Sequence, residues 1–317
     1  MTQGLCFNDA DRSVRQILKY KVPKNGFLIL FALGSFPLFA MAAFQPMQFA
    51  PPINSNVGVL VDRLCAADFN GDGFPDLAVG YRNNLVAILT NDGTGAMHLW
   101  TNFTAEGALG ADDFNGDHKV DLVTVGSVST IWLNNGNGVF AGTNINSQYA
   151  GGFAVAVGDF NRDQKLDLAI GGIAIFLGQG NGTFSFLTNY PAGGTAIAMA
   201  DLDGNTLIDL VGVYGPGSSS TSVLLGNGNG TFDPPTNYTG NYSYTYCVAA
   251  GDLNSDRKPD ILTGNSFNRQ ISIRLNNGDG TFGAAKTIAV PISLHRRWRL
   301  RTSTGMAIWI LLRAILL

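Results

Sequence analysis

The chain has 317 residues, 40 of them glycine, with charged residues at 14% and a formal net charge of −3. That length allows a large core in one or two domains, and a glycine-rich, charge-poor composition suits an all-β chain with many tight turns better than a helical one. The net charge hides a segregation: residues 43–290 hold 20 aspartates and the only glutamate, Glu106, against 10 Lys/Arg, so the basic stripe that nucleic-acid binding needs is missing.

Lys19, Lys21 and Lys24 precede an apolar run from Phe27 to Ala42 that closes on Ala40-Met41-Ala42. A positive flank, an apolar stretch and small residues at a cleavage point predict a secretory signal peptide over residues 1–42. An uncleaved membrane anchor is the competing reading, because the run nearly reaches the ~18 residues of a span. Under either reading the remainder is expected to be exported: secreted, periplasmic or at the cell surface. With Cys6 in this leader, three cysteines give no disulfide framework. Cys65 and Cys247 are expected as buried free thiols in strands, and to pair only if their units are neighbours.

Next, Phe49-Ala50-Pro51-Pro52-Ile53-Asn54 echoes Phe232-Asp233-Pro234-Pro235-Thr236-Asn237. The chain thus opens on a strand of the kind that ends a later unit. Five copies of a nine-residue loop, Asp-x-(Asn/Asp)-x-(Asp/Asn)-x-x-x-Asp, then follow, their first aspartates 45, 46, 42 and 51 residues apart. A period of that size marks a repeat architecture.

Unit three shows the plan. Ala154 to Gly158 leads into the loop Asp159 to Asp167. Leu168 to Gly172 and Ile173 to Leu177 follow, then the turn Gly178-Gln179-Gly180-Asn181-Gly182, then Thr183 to Leu187. Each apolar piece is four to six residues long between Gly/Asn/Asp punctuation, which leaves room for strands and not for helices. Leu133 to Phe140, Leu225 to Phe232 and Leu275 to Phe282 repeat the glycine-rich turn, and residues 90–95 carry a worn copy; Asn-Gly and Asp-Gly here predict primed hairpin turns. Four short strands per ~45 residues predict an all-β fold, a β-propeller of four-stranded blades with five recognisable repeats over residues 43–290. A β-helix is the rival, but its glycine tracts recur every nine residues.

After Val290 the composition turns basic, then apolar from Met306 to Leu317. Read one frame over, codons for Arg301 to Ile310 can spell D-F-N-G-D-G-D-L-D, about 50 residues after Asp252, where a sixth repeat is due. The tail 291–317 is therefore expected to be a frameshift product of a longer propeller.

Alternate residues of a tight loop can turn their oxygens inward together, and calcium takes six to eight oxygens at about 2.3–2.6 Å. The expected ligands are Asp68, Asn70, Asp72, the Phe74 carbonyl and Asp76; then Asp113, Asn115, Asp117, the Lys119 carbonyl and Asp121. The third loop offers Asp159, Asn161, Asp163, the Lys165 carbonyl and Asp167. The fourth offers Asp201, Asp203, Asn205, the Leu207 carbonyl and Asp209, and the fifth Asp252, Asn254, Asp256, the Lys258 carbonyl and Asp260. One such loop reads equally as a hydrophilic turn. Five of them would crowd like charges at a few ångströms without a cation. Gly73 at position 6 suits a sharp turn, whereas His118, Gln164, Thr206 and Arg257 take its place elsewhere and predict strain there. His118 is read as a solvent-facing turn residue, not a ligand.

Asp68-Phe69-Asn70-Gly71-Asp72-Gly73-Phe74-Pro75-Asp76-Leu77-Ala78-Val79-Gly80, its four relatives and the Asn-Gly-x-Gly-Thr-Phe turns resemble FG-GAP/VCBS-type repeats, the blade unit of integrin α-subunit propellers and of many exported bacterial proteins. The resemblance covers roughly residues 49–290. It implies a calcium-stabilised propeller, usually of six or seven blades, so five blades and a strand suggest truncation. It fixes no partner, since one fold hosts many functions.

The expected function is a non-catalytic, calcium-dependent binding or adhesion module for an extracellular protein or glycan, touching a membrane only through an uncleaved N-terminal segment. Tyr190, Tyr238, Tyr242, Tyr244 and Tyr246 are candidates to stack on sugars, though ordinary strand aromatics is the preferred reading. A truncated, non-functional or purely structural fragment is the alternative. A polysaccharide-active enzyme is disfavoured by the single Glu106, two histidines between 43 and 290, and the lack of Gly-x-Ser-x-Gly or HExxH patterns.

Overall fold

The computed structural model describes residues 5–6, 61–145, 154–214, 220–240, 245–265 and 269–289. The predicted leader apart from Leu5–Cys6, the opening strand at 49–54, Tyr242, Tyr244 and the tail 291–317 lie outside these residues. Among the described residues all regular structure is strand, and no helix is long and apolar enough to cross a membrane.

Strand β1 (Leu5–Cys6) lies beside the first strand of blade one, which comprises β2 (Val61–Ala67), β3 (Asp76–Tyr81), β4 (Leu85–Asn91) and β5 (Met97–Thr104). Blade two is β6 (Ala108–Asp112), β7 (Asp121–Val125), β8 (Ser129–Asn134) and β9 (Phe140–Ile145). Blade three is β10 (Val155–Gly158), β11 (Asp167–Ile170), β12 (Ala174–Gly178) and β13 (Phe184–Asn189). Blade four is β14 (Ala196–Ala200), β15 (Asp209–Val213), β16 (Ser220–Leu224) and β17 (Thr236–Thr239); blade five is β18 (Thr245–Gly251), β19 (Asp260–Asn265), β20 (Gln270–Arg274) and β21 (Lys286–Ala289). Each is an antiparallel sheet whose strands neighbour one another in chain order. These are the blades expected from the repeat; stacked nine-residue coils do not occur among the described residues.

After a leading aspartate the second strands are mainly apolar, because both their faces are covered. Every residue of β7 and of β15 is buried. The fourth strands, at the outer edge of each sheet, are mostly exposed or half-buried and mix polar with apolar residues, as in Phe184–Asn189. Between neighbours the core is shared: Ala78, Ile88, Leu109 and Leu122 form one cluster across blades one and two, and Leu168, Phe176, Val123 and Ile131 another across two and three. Ile175, Ile197, Leu210 and Phe232 join three to four, and Val211, Val223, Val248 and Ile261 join four to five. Each large apolar side chain sealed in this way contributes about 1.5–3 kcal/mol, so the blade interfaces hold the fold together. The clusters at the two ends draw on one blade each: Val79, Tyr81, Ala87 and Leu89 in blade one, and Cys247, Leu262, Ile271 and Ile273 in blade five. The first strands of successive blades touch, and no comparable contact joins β18 to β2 among the described residues.

Three details differ from the sequence reading or sharpen it. Cys65 is disulfide-bonded, contrary to the expectation of a free thiol, while buried Cys247 lies 3.9 Å from the Gly264 carbonyl. The glycine-rich turns are not two-residue primed turns. The Asn135 N–H donates to the Val139 carbonyl, and Asn227 does the same to Thr231, so each turn spans five residues with two glycines at positive φ, such as Gly136 and Gly138. Tyr190 and Tyr238 are blade staples: their hydroxyls accept the Phe232 and Phe282 N–H at 2.7 and 3.1 Å, and their rings meet those phenylalanines edge-on. The strand-aromatic reading therefore fits these two.

Candidate metal centres

The strand order places all five aspartate loops, each joining the first and second strands of a blade, at one end of the blades together with the glycine-rich turns. The same hydrogen bonds build every loop. The N–H of position 6 donates to the first aspartate's Oδ2, at 2.8 Å from Gly73, 2.8 Å from His118, 2.9 Å from Gln164, 2.9 Å from Thr206 and 2.8 Å from Arg257. Aiming that N–H inward requires a left-handed residue, and all five have φ between 64° and 87°. The strain anticipated at the four non-glycine positions is therefore present. Position 4 is left-handed as well (Gly71, Gly116, Arg162, Gly204, Ser255), which the sequence reading missed although three of the five are glycine.

Further Asx turns follow. The N–H of Asp72 donates to Asn70 Oδ1 at 2.9 Å and that of Phe74 to Asp72 Oδ1 at 2.8 Å. Asp117–Asn115 and Lys119–Asp117, Asp163–Asn161 and Lys165–Asp163, Asn205–Asp203 and Leu207–Asn205, and Asp256–Asn254 and Lys258–Asp256 repeat the pair at 2.7–3.1 Å. Each side-chain oxygen so held is oriented by the backbone and keeps a lone pair to spare.

The ninth residues are different. Asp76, Asp121, Asp167, Asp209 and Asp260 are fully buried. One oxygen accepts the N–H of position 2 (Phe69, Phe114, Phe160, Leu202, Leu253), and the other accepts the N–H of the residue near the end of the third strand (Asn91, Asn134, Gly178, Gly226, Asn276). These carboxylates thus close the loop and also tie it to its own sheet. Burial raises their pKa, partly offset by the two amide bonds: to about 6 for Asp76, Asp167 and Asp209 and about 7 for Asp121, with Asp260 shifted the same way. Neighbouring loop aspartates push in the same direction as burial.

Among the described residues, one loop brings three carboxylates together: Asp201, Asp203 and Asp209 have oxygens within 4.8 Å of one another. Two oxygens bound to one calcium at about 2.4 Å lie at most about 4.8 Å apart, so this all-oxygen donor set fits a hard divalent cation. In the other loops the carboxylates at positions 1, 5 and 9 are not gathered so closely. Lys119 and Lys165 reach back to Asp117 and Asp163 at 3.1 and 3.6 Å, and Lys258 instead donates to the Asn277 carbonyl. The His118 ring is solvent-exposed and 3.9 Å from Asp113, in keeping with its reading as a turn residue.

The loops also reach across the blade boundary through position 2. The Phe69 carbonyl accepts from Asn134 Nδ2 of blade two at 2.8 Å, and the Leu202 carbonyl from Asn276 Nδ2 of blade five at 2.8 Å. In between, the Phe114 and Phe160 carbonyls accept the Gly182 and Gly230 N–H at 2.9 and 3.0 Å.

Two family models match this chain: the FG-GAP-like repeat at residues 113–170 and 201–263, and the FG-GAP repeat at residues 61–100. The chain is an FG-GAP repeat protein. No curated protein matches it. Among solved structures, an Agrocybe aegerita lectin described as specifically recognising non-reducing terminal N-acetylglucosamine is similar in fold, with TM-score 0.50 and 23% identity over 71% of this chain and 65% of the lectin. This FG-GAP chain therefore spans about 65% of that lectin's length. Weaker likenesses include the V. cholerae biofilm matrix protein Bap1 (TM-score 0.43, 16% identity, 69% of this chain and 37% of that one). A Photorhabdus luminescens Tc holotoxin pore is another (TM-score 0.40, 17% identity, 75% and 12%).

Proposed function

We propose that this FG-GAP propeller is an exported, calcium-binding module that holds a protein or glycan and carries out no chemistry on it. The Asp201–Asp203–Asp209 arrangement is the observation that supports the calcium reading most directly, since three carboxylates at that separation repel unless a cation or protons neutralise them. Asp201, Asp203 and Asn205 would hold the ion with the Leu207 carbonyl, and Asp209 would close the set. The corresponding residues of the other four loops would do the same with the same three carboxylates and one amide, the amide standing at position 3 instead of position 5. A bound cation supplies charge neutralisation and cross-linking of the loop, which stiffens the end of each blade. The buried carboxylates at position 9 have a structural use, tying loop to sheet, so the abundance of aspartate gives no reason to invoke acid–base catalysis. The basic flank and the apolar run ending in Ala40-Met41-Ala42, expected to act as a signal peptide or anchor, support export, where free calcium is abundant.

A combined glycan and extracellular-protein array, probed with folded protein in calcium and again in chelator, tests this. Binding that is present in calcium and falls in chelator is expected. Binding of no partner in either condition, or turnover of an arrayed glycan, overturns it.

A further inference from the structure

The single glutamate of the chain belongs to none of the five loops. Glu106 sits in the connector between β5 and β6, at the end of the blades opposite to the metal loops, where the β7–β8 hairpin also turns. Its Oε1 accepts both the N–H and the hydroxyl of Ser127 in that hairpin. The second oxygen, Oε2, has no bond to a described residue. Glu106 lines an open cleft of about 460 Å³ between blades one and two, a size within the usual range for small-molecule sites.

The lining is chemically mixed. Trp132 forms an apolar wall: its ring is fixed by Phe103, 4.4 Å away between centroids, by Gly142 across the strand, and by an indole N–H donated to Thr124 at 3.1 Å. Gly142 must be glycine for this, because a Cβ there would meet the indole at 2.8 Å. Asn144 is oriented by Thr130, whose hydroxyl donates to Asn144 Oδ1 at 3.0 Å, so the amide NH₂ is left to donate. Asn84, held at φ 60°, adds a second amide from the β3–β4 hairpin.

No Lys, Arg or His lines the cleft, and the Ser127 bonds hold the Glu106 carboxyl below the ordinary glutamate range, so an anion would meet the Glu106 charge with no cationic side chain to offset it. An ammonium group, which donates and never accepts, would leave the Asn144 NH₂ unmatched. A ligand bearing several hydroxyls offers donors to Glu106 and acceptors to the amides from one ring, with its carbon framework against the indole.

We infer that this cleft between blades one and two is a binding subsite for a neutral saccharide unit, with Glu106, Asn84 and Asn144 as its polar contacts. The inference rests on the reading of the chain as a binding propeller and narrows its ligand to an uncharged glycan. It also places recognition away from the aspartate loops, so a cation there would not touch the sugar.

The test is an array of neutral, sialylated and sulfated glycans with a lysine-rich peptide as a further probe, run on full-length protein and on Glu106→Gln and Asn144→Ala, with a melting curve for each. The wild type is expected to bind at least one neutral-terminated glycan. Both variants, melting as the wild type does, should lose at least tenfold in signal. Glycan binding that both variants leave unchanged overturns the subsite while leaving the binding propeller intact. The same holds for binding restricted to anionic glycans or to the peptide. Should Asn144→Ala melt early, Glu106→Gln, which keeps shape and alters one acceptor, decides alone. Calcium binding by a folded protein that captures no arrayed glycan also overturns the subsite, and it leaves the metal reading standing.

Discussion

Thr206 is a β-branched residue held at φ 70° so that its N–H can reach Asp201. The left-handed region costs an L-residue about 1–2 kcal/mol, part of which glycine would return through its larger unfolded-state entropy. Thr206→Gly is therefore expected to raise stability by roughly 0.5–1 kcal/mol, measured by urea unfolding, and Gly73→Thr to lower it in loop one. A destabilised Thr206→Gly would contradict the account of the loop. The buried ninth aspartates carry a second prediction. The folded pKa values of Asp76, Asp121, Asp167 and Asp209 lie at about 6–7, above the ~3.9 of an unfolded aspartate, and burial shifts Asp260 the same way. Between about pH 4 and pH 7 the folded state thus keeps protons that the unfolded chain has released, and stability falls as pH rises. It is greatest below pH 4, where both states are protonated. A cation beside these groups opposes that trend by favouring their ionised form. In chelator the urea midpoint should drop from pH 4 to pH 7, and calcium should flatten or reverse the drop. Equal slopes in the two conditions would count against a metal near these residues.

At the scale of elements, the join between blades is secured at the loop's second residue. Asn134 Nδ2 serves two buried carbonyls at once, Phe69 in blade one and Val120 in its own. Asn134→Ala leaves both unsatisfied and should cost about 1–3 kcal/mol, with Asn276→Ala doing the same between blades four and five, where Leu202 and Pro259 lose their donor. Chemical denaturation checks both, and no loss in either would mean the latch is idle. The strands themselves were plain in the sequence, because short apolar runs between Gly/Asn/Asp clusters leave little else to form. The turn geometry was misread because Asn-Gly is shared by two-residue turns and by the five-residue turn found here. The latch was invisible for another reason: Asn134 and Phe69 are 65 residues apart, and in blades three and four a glycine N–H does the same work, so no single residue type repeats.

For the whole molecule, the loops and the interfaces form one linked structure. Position 9 binds position 2, and position 2 binds the next blade, so whatever sets a loop also sets the junction beside it. The repeat period made the propeller legible, and the loop spacing identified the acidic residues. What the spacing could not show is that the ninth carboxylate is engaged twice by backbone amides, or that, among the described residues, it is the blade-four loop that gathers three carboxylates. Such facts depend on how a turn packs against its sheet. A cation that binds only the folded loops adds stability by mass action, about 2.7 kcal/mol per site at a hundred times its Kd. Calorimetric titration of calcium into chelator-treated protein, alongside Asp201→Asn, tests this most directly. More than one calcium per chain is expected for the wild type, with the blade-four site lost in the variant. Absence of any binding heat at several temperatures, with the melting temperature unmoved by calcium, would contradict it.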